Sequence, residues 1–173
     1  MKIVSELIGD KVIISDGSNA NSVHSKGSIG TLNKAVLELS FVEATYLVSK
    51  DKIAVRSRGK ILSSDAFMRK AVSKENNFRM RFAVFNDLKS AGFVVKTALK
   101  YGFDFRVYDK GVKPGSGHAK WLIACFKESA KFSWRDYSKM MRVAHSVRKS
   151  AVIAVVDDEG DATYYESNWN KLK

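Results

Sequence analysis

The chain begins with two short segments in which hydrophobic residues are grouped between polar ones. Residues 2–7 and 11–15 are rich in β-branched side chains, and a glycine-aspartate pair lies between them. This pattern predicts a β-hairpin, because glycine and aspartate suit a tight turn between two short strands. The polar residues 16–30 predict a loop that contains one short helix near residues 21–25.

Hydrophobic spacings of three and four predict a helix in the next part of the chain. Residues 41–49 carry this pattern, with Ser40 as the N-cap and Glu43 as its capping-box partner. A short strand is predicted at residues 53–55, and a basic turn at residues 56–60 follows it.

A longer helical region is predicted between residues 63 and 90, with a break at residues 73–77. After Gly92 the hydrophobic period changes to two, which is typical of strands. This change places a domain boundary after residue 88. The sequence therefore predicts an N-terminal domain of residues 1–88 and a C-terminal domain of residues 89–173.

The second domain is predicted to open with strands at residues 94–99 and 103–108. Successive side chains of a strand point to opposite faces. Phe103, Phe105 and Val107 would then share one face, and the polar face would carry Asp104, Arg106 and Tyr108.

The rest of the domain alternates strands with one amphipathic helix. The apolar run at residues 121–126 predicts a strand covered on both faces. Ser133 caps a helix that is predicted to extend to Ser150. Strands at residues 151–156 and 162–166 follow, joined by an acidic turn. On a helical wheel, the side opposite the apolar arc carries Arg142, His145 and Lys149.

The net charge of the chain indicates what class of partner it binds. The 173 residues include 30 Lys and Arg against 18 Asp and Glu, a net charge of +12. A polyanion, above all nucleic acid, is the expected partner of such a surface. The single cysteine, Cys125, lies in a core strand and favours a reducing compartment. Neither a signal peptide nor a membrane span is indicated, so we expect a soluble, cytoplasmic protein without membrane contact.

Candidate chemistry gathers in the second domain. Residues 110–117 form a glycine-rich loop, in which Lys110 and Lys113 are candidate phosphate contacts. His118 follows this loop, and it is as typical of an edge histidine with a structural partner as of a general acid. A phenol, with a usual pKa of about 10, needs neighbouring positive charge to act as a base near neutral pH.

Tyr108, His118 and Lys149 together offer a base, an acid and a cation. These are the groups that cleavage of RNA by its own 2′-hydroxyl requires, since the cation stabilises a phosphorane. A metal nuclease is the competing interpretation, but the carboxylate and lysine spacing that it requires is absent near Asp104 and Glu128. We therefore expect no metal and no cofactor.

These residues resemble the archaeal tRNA-splicing endonucleases, the tRNA-intron endonuclease family. The resemblance is carried by residues 100–111, by His118 ten residues after the tyrosine, and by residues 142–149. Residues 40–47 and the acidic residues 157–161 also resemble that family, so most of the chain is covered.

The resemblance implies an α/β (α+β) subunit: a mixed α/β N-terminal domain followed by a C-terminal nuclease domain with a central mixed sheet flanked by helices. It implies a tRNA-intron lyase that cleaves precursor tRNA at a bulge-helix-bulge without metal. Tyr108 would be the base, His118 the acid and Lys149 the cation. The products would be a 2′,3′-cyclic phosphate and a 5′-hydroxyl.

The resemblance also implies assembly and RNA contacts. Arg142 would grip an extruded bulge base, and this role is favoured over the alternative of a solvated arginine on the basic helix. An acidic loop would enter a basic groove of another subunit; its residues are Asp157, Asp158, Glu159 and Asp161. Extra length around residues 30–39 resembles members that pair a catalytic subunit with a separate structural subunit, and Lys34 would then reach the RNA. The chain would form a homodimer or homotetramer, or a heterotetramer with a structural subunit. The alternative is that this chain is itself the noncatalytic, RNA-binding subunit.

Overall fold

A computed structural model describes residues 2–170 of the chain. The helices and strands form two compact units. The units divide between Phe82 and Ala83. The first contains β1 (Ile3–Ile8), β2 (Lys11–Ile14), α1 (Gly17–Ser25), β3 (Thr31–Asn33), β4 (Val36–Leu39), α2 (Phe41–Ser49), β5 (Ile53–Ser57), β6 (Lys60–Ile61) and α3 (Ser64–Lys74). Helix α4 (Phe78–Ser90) contains the division. The predicted domain boundary after residue 88 lies in the same helix and stays a prediction.

The N-terminal unit is a six-stranded mixed sheet in the order β3-β4-β2-β1-β5-β6. The predicted hairpin is confirmed, with β1 and β2 antiparallel, whereas β1 and β5 are parallel. Helices α1 and α2 pack on this sheet. The core between them is formed by alternate strand residues that are fully or almost fully buried: Val12, Ile14, Leu37, Leu39, Ile53 and Val55.

Two local features of this unit differ from the prediction. Helix α1 starts at Gly17, because the Asp16 carboxylate accepts the backbone N–H of Asn19 at 2.8 Å and caps the helix four residues earlier than expected. Strands β3 and β4 were not predicted. They are three and four residues long, too short for a clear alternation, and Lys34 lies in the turn between them with a φ of 57°.

The capping box of α2 is confirmed and also links two elements. The Glu43 carboxylate accepts the backbone N–H and the hydroxyl of Ser40 at 3.0 and 2.8 Å. The N–H of Glu43 donates to the Ser40 hydroxyl at 3.4 Å, which completes the box. The same carboxylate accepts the N–H of Gly30, just before β3, at 2.8 Å. Glu43 is only 7% exposed, so these bonds account for a buried charge.

The predicted helical region is confirmed as two helices. Ser63 caps α3 through the N–H of Ala66, and the predicted break separates α3 from α4. Strand β5 is longer than predicted and includes Arg56, whose guanidinium pairs with Glu6 of β1. Within residues 2–170, no helix has both the length and the apolar character needed to span a bilayer.

The C-terminal unit is a five-stranded sheet in the order β11-β10-β9-β8-β7. Its elements are β7 (Val94–Thr97), a 3₁₀ turn (Leu99–Tyr101), β8 (Phe105–Tyr108), β9 (Trp121–Lys127), α5 (Trp134–Ser146), β10 (Ser150–Val156) and β11 (Ala162–Ser167). Strands β9 and β10 are parallel and are connected through α5; the other neighbours are antiparallel. The predicted α/β (α+β) class, with a central mixed sheet in the second unit, is confirmed.

Helices α4 and α5 cover opposite faces of this sheet. Phe85 of α4 contacts Phe105, with ring centroids 5.7 Å apart, and Phe105 is paired with Ile123 on one face. Met141 and Ala144 of α5 pack against residues of the other face: Leu122, Ala124 and Ala151. The apolar strand predicted at 121–126 is thus covered on both sides, as expected.

Candidate active site

The three predicted catalytic residues lie at one end of the five-stranded sheet. Tyr108 ends β8, His118 precedes β9 by three positions, and Lys149 directly precedes β10. Because β8 is antiparallel to β9 while β10 is parallel to it, the end of β8 and the starts of β9 and β10 coincide. Adjacent strands are about 4.8 Å apart. Residues separated by 41 positions in sequence therefore come to neighbouring strands.

Backbone hydrogen bonds fix this end of the sheet. The N–H of Lys120 donates to the carbonyl of Val107 at 2.9 Å, which holds the segment after His118 beside Tyr108. The N–H of Ser150 donates to the carbonyl of Lys120 at 3.0 Å, which holds the segment with Lys149 on the other side. The imidazole-bearing segment thus lies between the other two.

Tyr108 is buried, although it was predicted to point with the polar set of Asp104 and Arg106. It is 5% exposed and packs with Val94, Ala119 and the partly buried Val112. Alternation predicted the face correctly: Tyr108 is paired with Val94 of β7 and lies on the face of the sheet opposite to that of Phe105 and Val107. It could not show that the loop before β9 folds back over that face. The phenol ring of Tyr108 is therefore packed among hydrophobic side chains.

The glycine-rich loop carries His118 to an exposed position. The carboxylate and the carbonyl of Asp109 accept the N–H groups of Lys110 and Val112 at 3.0 and 3.1 Å, which forms its first turn. A Cβ at Gly117 would lie 2.5 Å from Cγ1 of Val112, so glycine is required for the loop to fold back. Lys110, Lys113 and His118 are all exposed.

Lys149 does not lie on α5, and this corrects a second prediction. The helix ends at Ser146, four residues before the expected end. Arg148 has a φ of 55°, its N–H donates to the carbonyl of His145, and the N–H of Lys149 donates to the carbonyl of Ala144 at 2.9 Å. These bonds form a Schellman motif, which usually has glycine at the left-handed position. The arginine there concealed the helix end. Lys149 is half-buried and lies in the connection between α5 and β10.

Arg142 remains on the exposed side of α5 and borders a groove. The open groove has a volume of about 670 Å³. The Nε of Arg142 donates to the carbonyl of Ser138 at 3.3 Å, which orients the guanidinium. The groove is lined by residues of α5 and of the segment after β11: Tyr137, Ser138, Met141, Arg142, Asn168, Trp169 and Asn170.

Trp169 is a candidate functional residue that was not predicted. It is 50% exposed, and its ring lies 4.5 Å from the ring of His145. The sequence offered no specific signal for it, because single exposed aromatic residues are common, and Trp134 is 82% exposed in the same chain. Arg142 and Trp169 together give the groove a guanidinium and an aromatic face.

The remaining predicted residues are not part of this end of the sheet. The acidic loop joins the end of β10 to the start of β11, at the opposite end from Tyr108. The Asp157 carboxylate accepts the N–H groups of Glu159 and Asp161 at 3.0 and 2.9 Å, and Asp158 is exposed. Lys34 is exposed in the N-terminal unit.

This arrangement provides the elements of acid-base chemistry. A phenol, an imidazole and an ammonium group are carried at the end of β8 and just before β9 and β10, which are neighbouring strands. The imidazole is exposed to solvent. Proton removal, proton donation and stabilisation of an anion each correspond to one of these groups.

Comparison with known proteins matches both units to one family. Residues 3–68 match the N-terminal domain of the tRNA intron endonucleases, and residues 78–164 match their catalytic C-terminal domain. The tRNA-splicing endonuclease of Pyrococcus furiosus is 39% identical over 174 residues, which cover 99% of this chain and 100% of the relative.

Two further relatives, also named tRNA-splicing endonuclease, agree. That of Thermococcus gammatolerans is 37% identical over 96% of this chain and 98% of the relative. That of Methanothermobacter thermautotrophicus is 33% identical over 98% of both chains. The matches extend over both units and nearly the full length of the relatives, and on this basis the chain belongs to the tRNA intron endonuclease family.

Proposed function

We propose that this protein is a tRNA-intron lyase that cleaves precursor tRNA at the intron boundaries without a metal ion. The observation that supports this proposal is that the backbone segments carrying Tyr108, His118 and Lys149 lie side by side at one end of the sheet. A subunit with a purely structural role has no chemical need for all three groups at one place.

The reaction removes one proton from the RNA and returns one proton to it. Tyr108 removes the proton of the 2′-hydroxyl, whose oxygen attacks the adjacent phosphorus. The bond from phosphorus to the 5′-oxygen breaks, and His118 gives that oxygen its proton. Lys149 stabilises the extra negative charge on the phosphorane oxygens. The products are a 2′,3′-cyclic phosphate and a 5′-hydroxyl.

The groove beside α5 provides a place for an unpaired base of the bulge-helix-bulge. Arg142 and Trp169 would bracket the extruded base, because planar guanidinium and indole groups both stack on nucleobases. Stacking of this kind contributes about 1 to 3 kcal/mol per base. Lys34, Lys110 and Lys113, all exposed, would contact phosphates.

Assembly belongs to the same proposal. The exposed residues Asp158, Glu159 and Asp161, with Asp157 at the base of the loop, would enter a basic groove of a second subunit. The active species would be a homodimer, a homotetramer, or a heterotetramer with a separate structural subunit. Light scattering of the purified chain, with and without a candidate second chain, distinguishes these states.

The test is cleavage of a bulge-helix-bulge RNA in the presence of EDTA. We expect cyclic-phosphate products, and a rate about 10² to 10⁴ lower for His118→Ala, the range that one acid or base group contributes. Tyr108→Phe and Lys149→Ala should also be slow. The control is His24→Ala, because His24 lies in the N-terminal unit with its Nδ1 2.9 Å from the carbonyl of Ile29.

Three results would contradict parts of this proposal. Undiminished cleavage by His118→Ala would remove that residue as the acid. A requirement for added metal would reject the mechanism. Binding without cleavage under every condition, including addition of a second subunit, would identify the chain as a noncatalytic RNA-binding subunit.

A further inference from the structure

Two lysine-aromatic pairs adjoin each other on the C-terminal unit. The Nζ of Lys110 lies 5.2 Å from the ring centroid of Phe93, and the Nζ of Lys120 lies 4.4 Å from that of Trp121. The two rings meet edge to face, with centroids 5.8 Å apart and an interplanar angle of 87°. We call these four residues the lysine-aromatic strip.

The strip lies at the same end of the sheet as the candidate active site. Lys110 follows Tyr108 by two positions and Lys120 follows His118 by two. Trp121 is paired with Val107, so alternation places its ring on the face opposite Tyr108. The strip therefore continues from the active-site end around to the other face of the sheet.

Neighbouring groups hold the strip in place before any ligand binds. The indole Nε1 of Trp121 donates to the Glu166 carboxylate at 3.2 Å, which fixes the ring at its edge. The backbone N–H of Phe93 donates to the carbonyl of Leu88 at 3.1 Å. The ammonium group of each lysine lies over a ring, and this attraction restricts where it can go.

The charge of the strip is not neutralised. Both lysines are exposed, and within residues 2–170 no ion pair includes either of them. Among the described residues, two carboxylates are bonded to the strip, but neither is bonded to an ammonium group: Glu166 accepts the indole N–H of Trp121, and Asp109 accepts the backbone N–H of Lys110. Two exposed ammonium groups, each held over one of two adjoining rings, suit a ligand with repeated negative charges.

We propose that the lysine-aromatic strip binds consecutive phosphates of the RNA strand that flanks the cleaved bond. This inference rests on the proposed function, because it takes the substrate to be RNA held at the neighbouring active site. The lysines, not the rings, make the contact: each ring already carries an ammonium group on its face. The contact is independent of sequence, as lysine-phosphate contacts are, and it positions the strand without touching the reacting atoms.

The test measures the salt dependence of binding. The probe is a bulge-helix-bulge RNA with 2′-deoxy nucleotides at both cleavage positions, so that it binds without being cut. Each lost phosphate contact lowers the slope of log affinity against log salt by about 0.7 to 0.9. We expect Lys110→Gln plus Lys120→Gln to lower it by about 1.4 to 1.8, twice that amount.

The matched control is Lys50→Gln. Lys50 is also exposed and lies over an aromatic ring, that of Tyr46, at 5.6 Å, but it is in the N-terminal unit. Its slope should equal that of the wild type. An unchanged slope in the double variant, or an equal fall in the control, would overturn the inference.

Cleavage of the unmodified RNA by the wild type separates this inference from the proposed function. Cleavage with an unchanged slope rejects the strip alone. Absence of cleavage with a lowered slope rejects the proposed reaction and leaves the strip as an RNA-binding surface.

Discussion

At the scale of single residues, the space around the Cα atom of a glycine decides whether a larger residue is tolerated there. Gly30 and Gly9 both have positive φ values, 73° and 63°. A Cβ at Gly30 would lie 2.7 Å from the carbonyl oxygen of Glu38 and from methyl groups of Leu37 and Leu39, whereas a Cβ at Gly9 would meet nothing within 4 Å. The two glycines share a positive φ and differ in the space around the position that a Cβ would take.

This difference gives a paired prediction for stability. Gly9→Ala should lower the free energy of unfolding by about 1 to 2 kcal/mol, the cost of a left-handed conformation for an L-residue. Gly30→Ala should cost about 1 to 3 kcal/mol more, because it adds overpacking against buried leucines. Urea denaturation of both variants measures the difference. Equal losses would show that the core around Gly30 adjusts freely.

Several site residues could be predicted from the sequence, but their surroundings could not. The identities of Tyr108, His118 and Lys149 follow from the motifs that resemble the family. The burial of Tyr108 depends on Ala119 and Val112, which belong to a loop whose path has no periodic signal. Trp169 was missed because its role depends on a groove that exists only after α5 and the last strand have packed.

At the scale of elements, the end of α5 matters because Lys149 follows its last residue, Ser146, by three positions. The left-handed residue is Arg148, where glycine would carry no Cβ strain. Helix periodicity alone continues past this point, since Val147 fits the apolar arc. Short strands β3 and β4 show the same limit: their pairing is set by neighbouring strands and not by their own three or four residues.

A substitution tests this account of the helix end. Arg148→Gly should be more stable than Arg148→Ala by about 1 kcal/mol, because both lose the side chain and only glycine relieves the left-handed strain. Thermal or urea unfolding measures the gap. Alanine at least as stable as glycine would mean that the motif is absent in solution.

The long elements were the predictable ones. Helix α2 has the predicted bounds, because a capping box and a clear stripe coincide there. The apolar run of β9 was recognised because it is buried on both faces. Pairing order was beyond periodicity: nothing in the sequence pattern states that β9 and β10 are parallel while β8 is antiparallel, and this order creates the site.

At the scale of whole units, one hydrogen bond between distant residues makes stability depend on alkaline pH. The Tyr164 hydroxyl of β11 donates to the Asp87 carboxylate of α4 at 2.7 Å, within the C-terminal unit. Burial, and then this bond to an anion, raise the pKa of Tyr164 well above its usual value. The folded unit therefore keeps this phenol protonated where an unfolded chain would lose the proton.

The sign of the pH effect follows from that shift. Below about pH 10 both states are protonated and the contribution of Tyr164 is fully present; above it the unfolded chain ionises and the contribution falls. Tyr164→Phe should cost about 1 kcal/mol at pH 8, and the gap to the wild type should shrink by pH 10.5. Asp87→Asn should lose only part of this alkaline dependence, because burial remains. A gap that stays constant with pH would contradict the shift. Urea denaturation at the two pH values supplies the measurement.

The parallel pairing of β9 with β10 also divides the site between two stretches of chain. Tyr108 and His118 belong to the antiparallel β8–β9 pair, while Lys149 arrives through the crossover helix. A protease cut in the exposed segment 128–132 would place the phenol and imidazole on one fragment and the ammonium on the other. The gene could be split at the same place, and the three proposed catalytic groups would then come together only when the two fragments pair again along β9 and β10.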